Sequence, residues 1–419
     1  MSEAPETTVG GDYLHWDKFR HRTPPEGLSL NEWWLGVRMR RDVASRPVPL
    51  VDKGRSPFRF NLADPIPQGL NRIDLMAGGT IGAPAQVTNK GSRNQYVIKS
   101  LIEEAITSSQ LEGAPTTRKV AREMIRQKRD PRDEGERMIL NNYRAMERIV
   151  ELKGEDLTPG LVFEVQRIVT EGTLRDPGWA GRLRRADEYW VVGDDFGEVF
   201  HEPPPDDELP ARLAAMCDFA NGRTPAGFVH PVVRAMILHF WLAYDHPFVD
   251  GNGRTARALF YWSMLRREYW LFEYISISRI ILDDPSKYGM AFLYTETDAN
   301  DLTYFLIYHL GVILRAVDVL HEYIGRRSRE VGAATADLRG MTALNHRQRE
   351  IVGHALRHPG TIYTVESHRS SHGVVYETAR SDLIDLVDRR LLTKSKAGNA
   401  WNFAAAEGMD ERLRRPPDG

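Results

Sequence analysis

Residues 231–265, PVVRAMILHFWLAYDHPFVDGNGRTARALFYWSML, decide the fold. Pro231 suits a first helical turn, where its missing N–H would have no partner anyway, and the run to Tyr244 is apolar on nearly every face. A helix of that kind belongs in the centre of a bundle. A second run, from Arg254 to about Leu265, is almost as apolar and leaves directly from Gly253. Two buried helices thus hold one short loop between them, the arrangement expected where chemical groups must be placed rigidly. The expected fold class is mainly α, a helical bundle.

At 419 residues the chain is long enough for two or three domains and a sizeable core. With 42% hydrophobic residues, 27% charged residues and a formal charge of −2, nothing global demands a nucleic-acid or membrane partner. The opening MSEAPETTVGG has no apolar h-region, and no uninterrupted apolar run of about 18 residues follows. The expectation is a cytoplasmic protein with no membrane partner. The single cysteine, Cys217, lies in LAAMCDFA at helical apolar spacing and reads as core.

Around residues 231–265 the chain divides into four parts and a linker. Residues 1–92 read as a helical and extended region, in which Ser29 and Glu32 cap a helix carrying Trp33, Trp34 and Val37, and 46–92 are Pro- and Gly-rich extended connections. Residues 93–326 read as the catalytic core. Within it NQYVIKSLIEEAITSSQLEG, 94–113, places Leu101, Ile102, Ala105 and Ile106 at helical spacing and stops at Gly113. DEYWVVGDDFGEVFHEPP, 187–204, has the composition of a β-hairpin. SREVGAATADLRG, 328–340, reads as a linker. Residues 341–404 read as three helices and two short strands, a winged helix, and 405–419 as a disordered tail.

The loop carries chemistry. Gly251, Asn252 and Gly253 run into a helix and present backbone N–H groups that a phosphate can approach closely. Arg254 and Arg257, three apart, fall on about one face of the first turn, where forked donors hold phosphate oxygens. Asp250 supplies a hard oxygen for Mg²⁺, which favours one or two carboxylates together with substrate phosphates. His246 can take and return a proton near neutrality. Phe248 anchors the loop as an apolar plug. Together these parts describe phosphoryl or nucleotidyl transfer to a hydroxyl. Each has an ordinary reading alone: a capping histidine, a DGNG turn, solvated arginines. Their co-occurrence between two apolar helices favours the chemical one.

HPFVDGNGRTAR, 246–257, resembles the signature of the Fic family, HPFx[DE]GNGRxxR, at every specified position. The resemblance extends to SSQLEG, to the hairpin and to the terminal LNHRQREI…TARSDL. It implies a Fic-type helical bundle and transfer of AMP from ATP to a Ser, Thr or Tyr hydroxyl of a target protein, itself included, with release of pyrophosphate. By position, His246 is then the general base, Asp250 the Mg²⁺ ligand, Gly251, Asn252 and Gly253 the phosphate loop, and Arg254 and Arg257 the polyphosphate ligands. SSQLEG resembles the family's inhibitory motif, with Ser108, Glu112 and Gly113 as its marked positions. The implied carboxylate of Glu112 pairs with Arg257 and occupies the guanidinium that the γ-phosphate uses. The ordinary alternative is a solvated i,i+4 pair at a helix end.

The hairpin then resembles the family's flap, with Trp190, Val191 and Val192 at the target-binding strand. Tyr288 in DDPSKYGMAF is a candidate for the adenine pocket. The winged helix offers YETARSDL as a DNA-reading helix, but residues 341–404 hold nine Lys or Arg against six Asp or Glu, a surplus too small to demand DNA. A homodimer and DNA both stay open as partners beside ATP and the target. Two alternatives compete with adenylyl transfer: removal of AMP or another nucleotidyl or phosphoryl transfer at the same site, and a winged-helix regulator that binds DNA and senses ATP.

Overall fold

The computed structural model describes residues 6–77, 90–188, 192–193, 199–341, 343–358, 361–397 and 400–414. Contacts divide the chain into two compact units, residues 1–79 with 100–317, and 80–99 with 318–419.

The first unit is built on the two helices that the quoted stretch foretold, Pro231–Asp245 and Asn252–Arg266. Along the second, every residue from Arg254 to Leu265 is buried. Trp241, Trp262, Phe240 and Phe260 are at most 1% exposed, and burying each aromatic ring contributes on the order of 2 to 3 kcal/mol. Helices Glu134–Leu152, Pro159–Val169 and Leu209–Ala220 pack around this pair. Trp262 donates its indole N–H to the Leu152 carbonyl at 3.2 Å, so even the polar edge of the central ring is partnered. Cys217 is buried, and burial, reinforced by Asp218, pushes its thiol up to about 12, which leaves it an inert core residue.

Helix Lys90–Leu111 brings residues 100–111 onto this body. Its apolar face, Ile102, Ala105 and Ile106, packs with Met124 of helix Arg118–Gln127 and Ile139. The other side of the helix carries Glu104, 1% exposed and without a basic partner among its hydrogen bonds. Its carboxylate instead accepts from Tyr261 Oη at 2.9 Å, Ser276 Oγ at 2.8 Å, the Ser278 N–H at 3.1 Å and Ser278 Oγ. Four donors satisfy a charge that burial would otherwise make costly.

Residues 46–77 are more regular than the Pro and Gly content suggests. Arg46–Val51 and Pro57–Phe60 pair antiparallel, and Ile66–Ala77 is a helix. Ile66, Leu70, Ile73 and Ala77 recur at helical spacing and are buried, while Gly69 lets the helix press on Leu310, whose side chain would collide with any Cβ there.

The second unit contains helices His346–Arg357, Val365–His372 and Tyr376–Asp388, then the hairpin Leu392–Ala397 with Ala400–Ala405, the element order of a winged helix. Two expectations fail here. Residues 328–340 are not a linker, because helix Thr303–Gly340 runs through them and buries Ala334 and Leu338 in this unit's core. Within 405–419, Met409–Arg414 forms a helix whose Met409 and Leu413 join that core. Thr303–Arg326 has the length and mean hydropathy of a membrane span, but 61% of its apolar window is buried inside the protein. An apolar helix packed in a core passes the same test.

Candidate active site

The site begins where helix Pro231–Asp245 stops. Its last residue is braced: Asp245 accepts from the Trp241 indole N–H at 2.9 Å and from Arg212 at 3.0 Å. His246 then takes a left-handed conformation, φ 44° and ψ 55°, unusual for a non-glycine residue and typical of places where surroundings dictate the backbone. Its Nδ1 lies 3.4 Å from the Ala243 carbonyl, which can only accept. That contact places the proton on Nδ1 and leaves Nε2 as the acceptor. Burial pushes the imidazole down to about 4; the Ala243 carbonyl and Glu112 pull the other way, and the charges of His201 and Arg184 push with it. The ring is therefore neutral, and basic at Nε2, at pH 7.

The carbonyls of His246, Pro247 and Asp250 in the turn each have a donor. Arg184 reaches His246 and Pro247, and Gln166 Nε2 reaches Asp250 at 3.0 Å. Asn252 locks Phe248 from both sides, accepting its N–H at 2.9 Å and donating to its carbonyl at 2.8 Å. Phe248 is buried against Phe163 with ring centroids 6.3 Å apart. The asparagine side chain thus shapes the loop, and only its backbone is left to face an anion. Gly251 has φ 84° and a built Cβ would lie 2.7 Å from Thr170 Cγ2, so glycine is demanded twice over. It caps the next helix without a side chain, so no side-chain cap claims the N–H groups of the first turn.

Arg254 is 1% exposed and donates to the Val169 carbonyl at 2.7 Å and to Asp250 Oδ2 at 3.1 Å. Asp250 keeps 47% of its side chain exposed at the loop surface. Among the described residues no group of three His, Cys, Asp or Glu side chains could cage a metal. A lone exposed carboxylate fits Mg²⁺ only where substrate phosphates complete the shell, which is that ion's preferred mode.

Arg257 is 2% exposed and reaches back to the helix that ends at Leu111. Its Nε donates to Ser108 Oγ at 2.8 Å, and Nη2 donates to the Ser108 carbonyl at 3.0 Å and to Glu112 Oε1 at 2.7 Å. Burial alone would raise the Glu112 carboxyl, but the charge and hydrogen bond of Arg257, aided by Arg254 and His246, hold it below the usual glutamate range. A Cβ built on Gly253 would run into Glu112 Oε1 and stand 3.0 Å from its carboxyl carbon. The acid therefore sits against the glycine of the loop, with 29% of its side chain still exposed. Gly113 follows with φ 89° and ends the helix, and a Cβ there would meet nothing.

Tyr288, on helix Pro285–Thr297, places its hydroxyl 2.9 Å from His239 Nε2. Burial pushes that phenol up to about 12, with Arg257 lowering it and Glu112 raising it. It thus lies beside the Arg257–Glu112 pair. Of the hairpin, Val192–Gly193 and Val199–His201 pair antiparallel; Trp190 and Val191 lie outside the described residues. His201 ties the returning strand to the helix before His246, with Nε2 2.6 Å from the Tyr244 carbonyl and Nδ1 2.8 Å from Glu296. Sequence reading did not single out Arg184, Gln166, His201 or Glu104. Glu104 alone left a signal, an acid one helical turn before Ser108 in an otherwise apolar stretch.

Residues 156–264 match the Fic/DOC family model. A protein adenylyltransferase Fic of Nematostella vectensis is 36% identical over 107 residues, 26% of this chain and 22% of the relative. Protein adenylyltransferase fic-1 of Caenorhabditis briggsae is 37% identical over 91 residues, 22% of this chain and 16% of the relative. The aligned stretch thus spans about a fifth of these curated relatives. A Fic family protein from Desulfovibrio desulfuricans G20 superimposes with a TM-score of 0.52 at 18% identity, over 81% of this chain and 94% of that one, a likeness of fold.

Proposed function

We propose, from the match of residues 156–264 to the Fic/DOC family model, that the chain is an autoinhibited protein adenylyltransferase. The relatives named above are protein adenylyltransferases, which supports the reaction class. ATP would lie with its phosphates on the first turn at Gly251–Arg254, and Arg257 would take the terminal phosphate once Glu112 leaves it. A target hydroxyl held near His246 loses its proton to Nε2 as its oxygen bonds to the α-phosphorus. The bond from that phosphorus to the bridging oxygen breaks, and pyrophosphate departs. Mg²⁺, held by Asp250 and the phosphates, would offset the charge on the polyphosphate.

The observation that carries the inhibited state is the 2.7 Å pair of Arg257 with Glu112. A charge-assisted pair worth about 1.5 to 3 kcal/mol suppresses turnover by about one to two decades. Labelled ATP and intact-mass spectrometry test the reading. Glu112→Gly is expected to gain transfer, seen as additions of about +329 Da, the mass of an adenylyl group. His246→Ala is expected to abolish it. An addition of phosphate alone, or no addition with Glu112→Gly, would remove adenylyl transfer from contention.

A further inference from the structure

The proposed base hangs from one segment and the flap belongs to another, and a single side chain is bonded to both. Arg184 is 3% exposed. Its backbone N–H donates to the Pro247 carbonyl at 2.9 Å and its Nε donates to the His246 carbonyl at 2.9 Å. Its Nη2 donates to the Pro204 carbonyl. Residues 184 and 204 bracket the hairpin on either side, so one guanidinium spans the entry and exit of the flap and the residue that holds the base. No other described side chain donates to the His246 carbonyl. A fork with donors in two directions is required, which arginine supplies and lysine does not.

We propose that Arg184 is the positioning residue of the proposed transfer, joining His246 to both ends of the flap so that a target strand laid on the hairpin delivers its hydroxyl to Nε2. The left-handed turn at His246 is the place where such a brace matters. Without it the backbone is free to relax toward an ordinary helical or extended conformation, and the imidazole moves with it. The phosphate loop is held by other means, through Asn252, Gln166 and Arg254. Loss of Arg184 should therefore spare nucleotide binding and damage the transfer step. Arg184 also stands among the charges facing the imidazole, with Glu112 from the inhibitory helix and His201 from the flap; Asp245 beside it is turned to Arg212 and Trp241.

This inference rests on the adenylyl-transfer reading, and its test separates the two. In the Glu112→Gly protein, Arg184→Leu is expected to lower kcat by about 100-fold, the scale of an ångström of misplacement, with KM for ATP changed by less than about twofold. NMR of labelled histidine at pH 5.5 should show a displaced His246 resonance and a larger imidazolium fraction, because a cation facing the ring is gone. Arg184→Lys retains the charge but not the fork, so kcat should fall while the imidazole titration stays put. Should Arg184→Leu fail to fold, the lysine variant decides through its kcat. Variants with wild-type melting temperature, undiminished kcat and an unmoved His246 resonance overturn the inference. If the Glu112→Gly protein transfers no AMP, the enzymatic reading fails, and the His246 resonance in Arg184→Leu still decides whether the brace exists.

Discussion

Ser108 holds Arg257 through both its hydroxyl and its carbonyl, and Glu112 through one oxygen. These contacts are unequal in what they oppose. The serine positions the guanidinium, whereas the acid places charge where, on the proposed function, a phosphate arrives. Ser108→Ala removes one hydrogen bond to a cation and leaves the carboxylate in place. Transfer activity with ATP should rise severalfold, below the rise in Glu112→Gly, and activity equal to the parent would show that the serine has no share in restraint. The arrangement at this scale was legible because HPFVDGNGRTAR is contiguous, so neighbours in sequence are neighbours in space. Arg184 was not, because its partners are main-chain carbonyls 20 and 62 residues away, and any residue type presents a carbonyl. The role of Asn252 as a staple for Phe248 was hidden for the same reason.

Among the elements, helix Lys90–Leu111 is held by Glu104 as well as by the contacts of Ser108 and Glu112 with Arg257 at its C-terminal end. Replacing Glu104 by alanine would strand the buried donors of Tyr261, Ser276 and Ser278, at a cost of about 3 kcal/mol or more. Because that loss falls on the helix that carries Glu112, Glu104→Ala should lower the melting temperature and raise transfer activity together. Glu104→Gln, which keeps an acceptor, should do less of both. A loss of stability with no rise in activity would separate the anchor from the brake. The central helices could be read from their apolar runs, since burial on all faces leaves a compositional mark. The helix through 328–340 could not, because Gly332 and Gly340 in the sequence mimic a break, while among the described residues Ala334 and Leu338 mark its packed face.

Over the first unit, several histidines are kept neutral by burial. His309 is fully buried between Phe305 and His239, with neither nitrogen hydrogen-bonded, and burial pushes it down to about 3. His239 is pushed well below its ordinary value by burial, with His309 and Arg257 adding to the effect, and His246 sits at about 4. Each binds a proton more readily unfolded than folded. The stability they allow is fully present above about pH 6.5 and is lost as pH falls toward the folded values. For His309 alone the loss by pH 5 is about 2 kcal/mol. The urea midpoint should drop between pH 7 and pH 5. His309→Phe, which keeps a stacked ring and removes the proton site, should flatten that drop while changing the pH 7 midpoint little. A pH 5 midpoint as low as the parent's would mean that this ring is not the acid-sensitive one.

On the proposed function, the contact of Glu112 with Gly253 narrows the evolutionary routes by which the restraint of Glu112 on Arg257 can be lifted. Any side chain at 253 would evict the carboxylate, yet it would also stand on the proposed seat of the nucleotide. A lineage that discards restraint while keeping catalysis must therefore alter the donor helix, and the glycine should outlast the glutamate in its descendants.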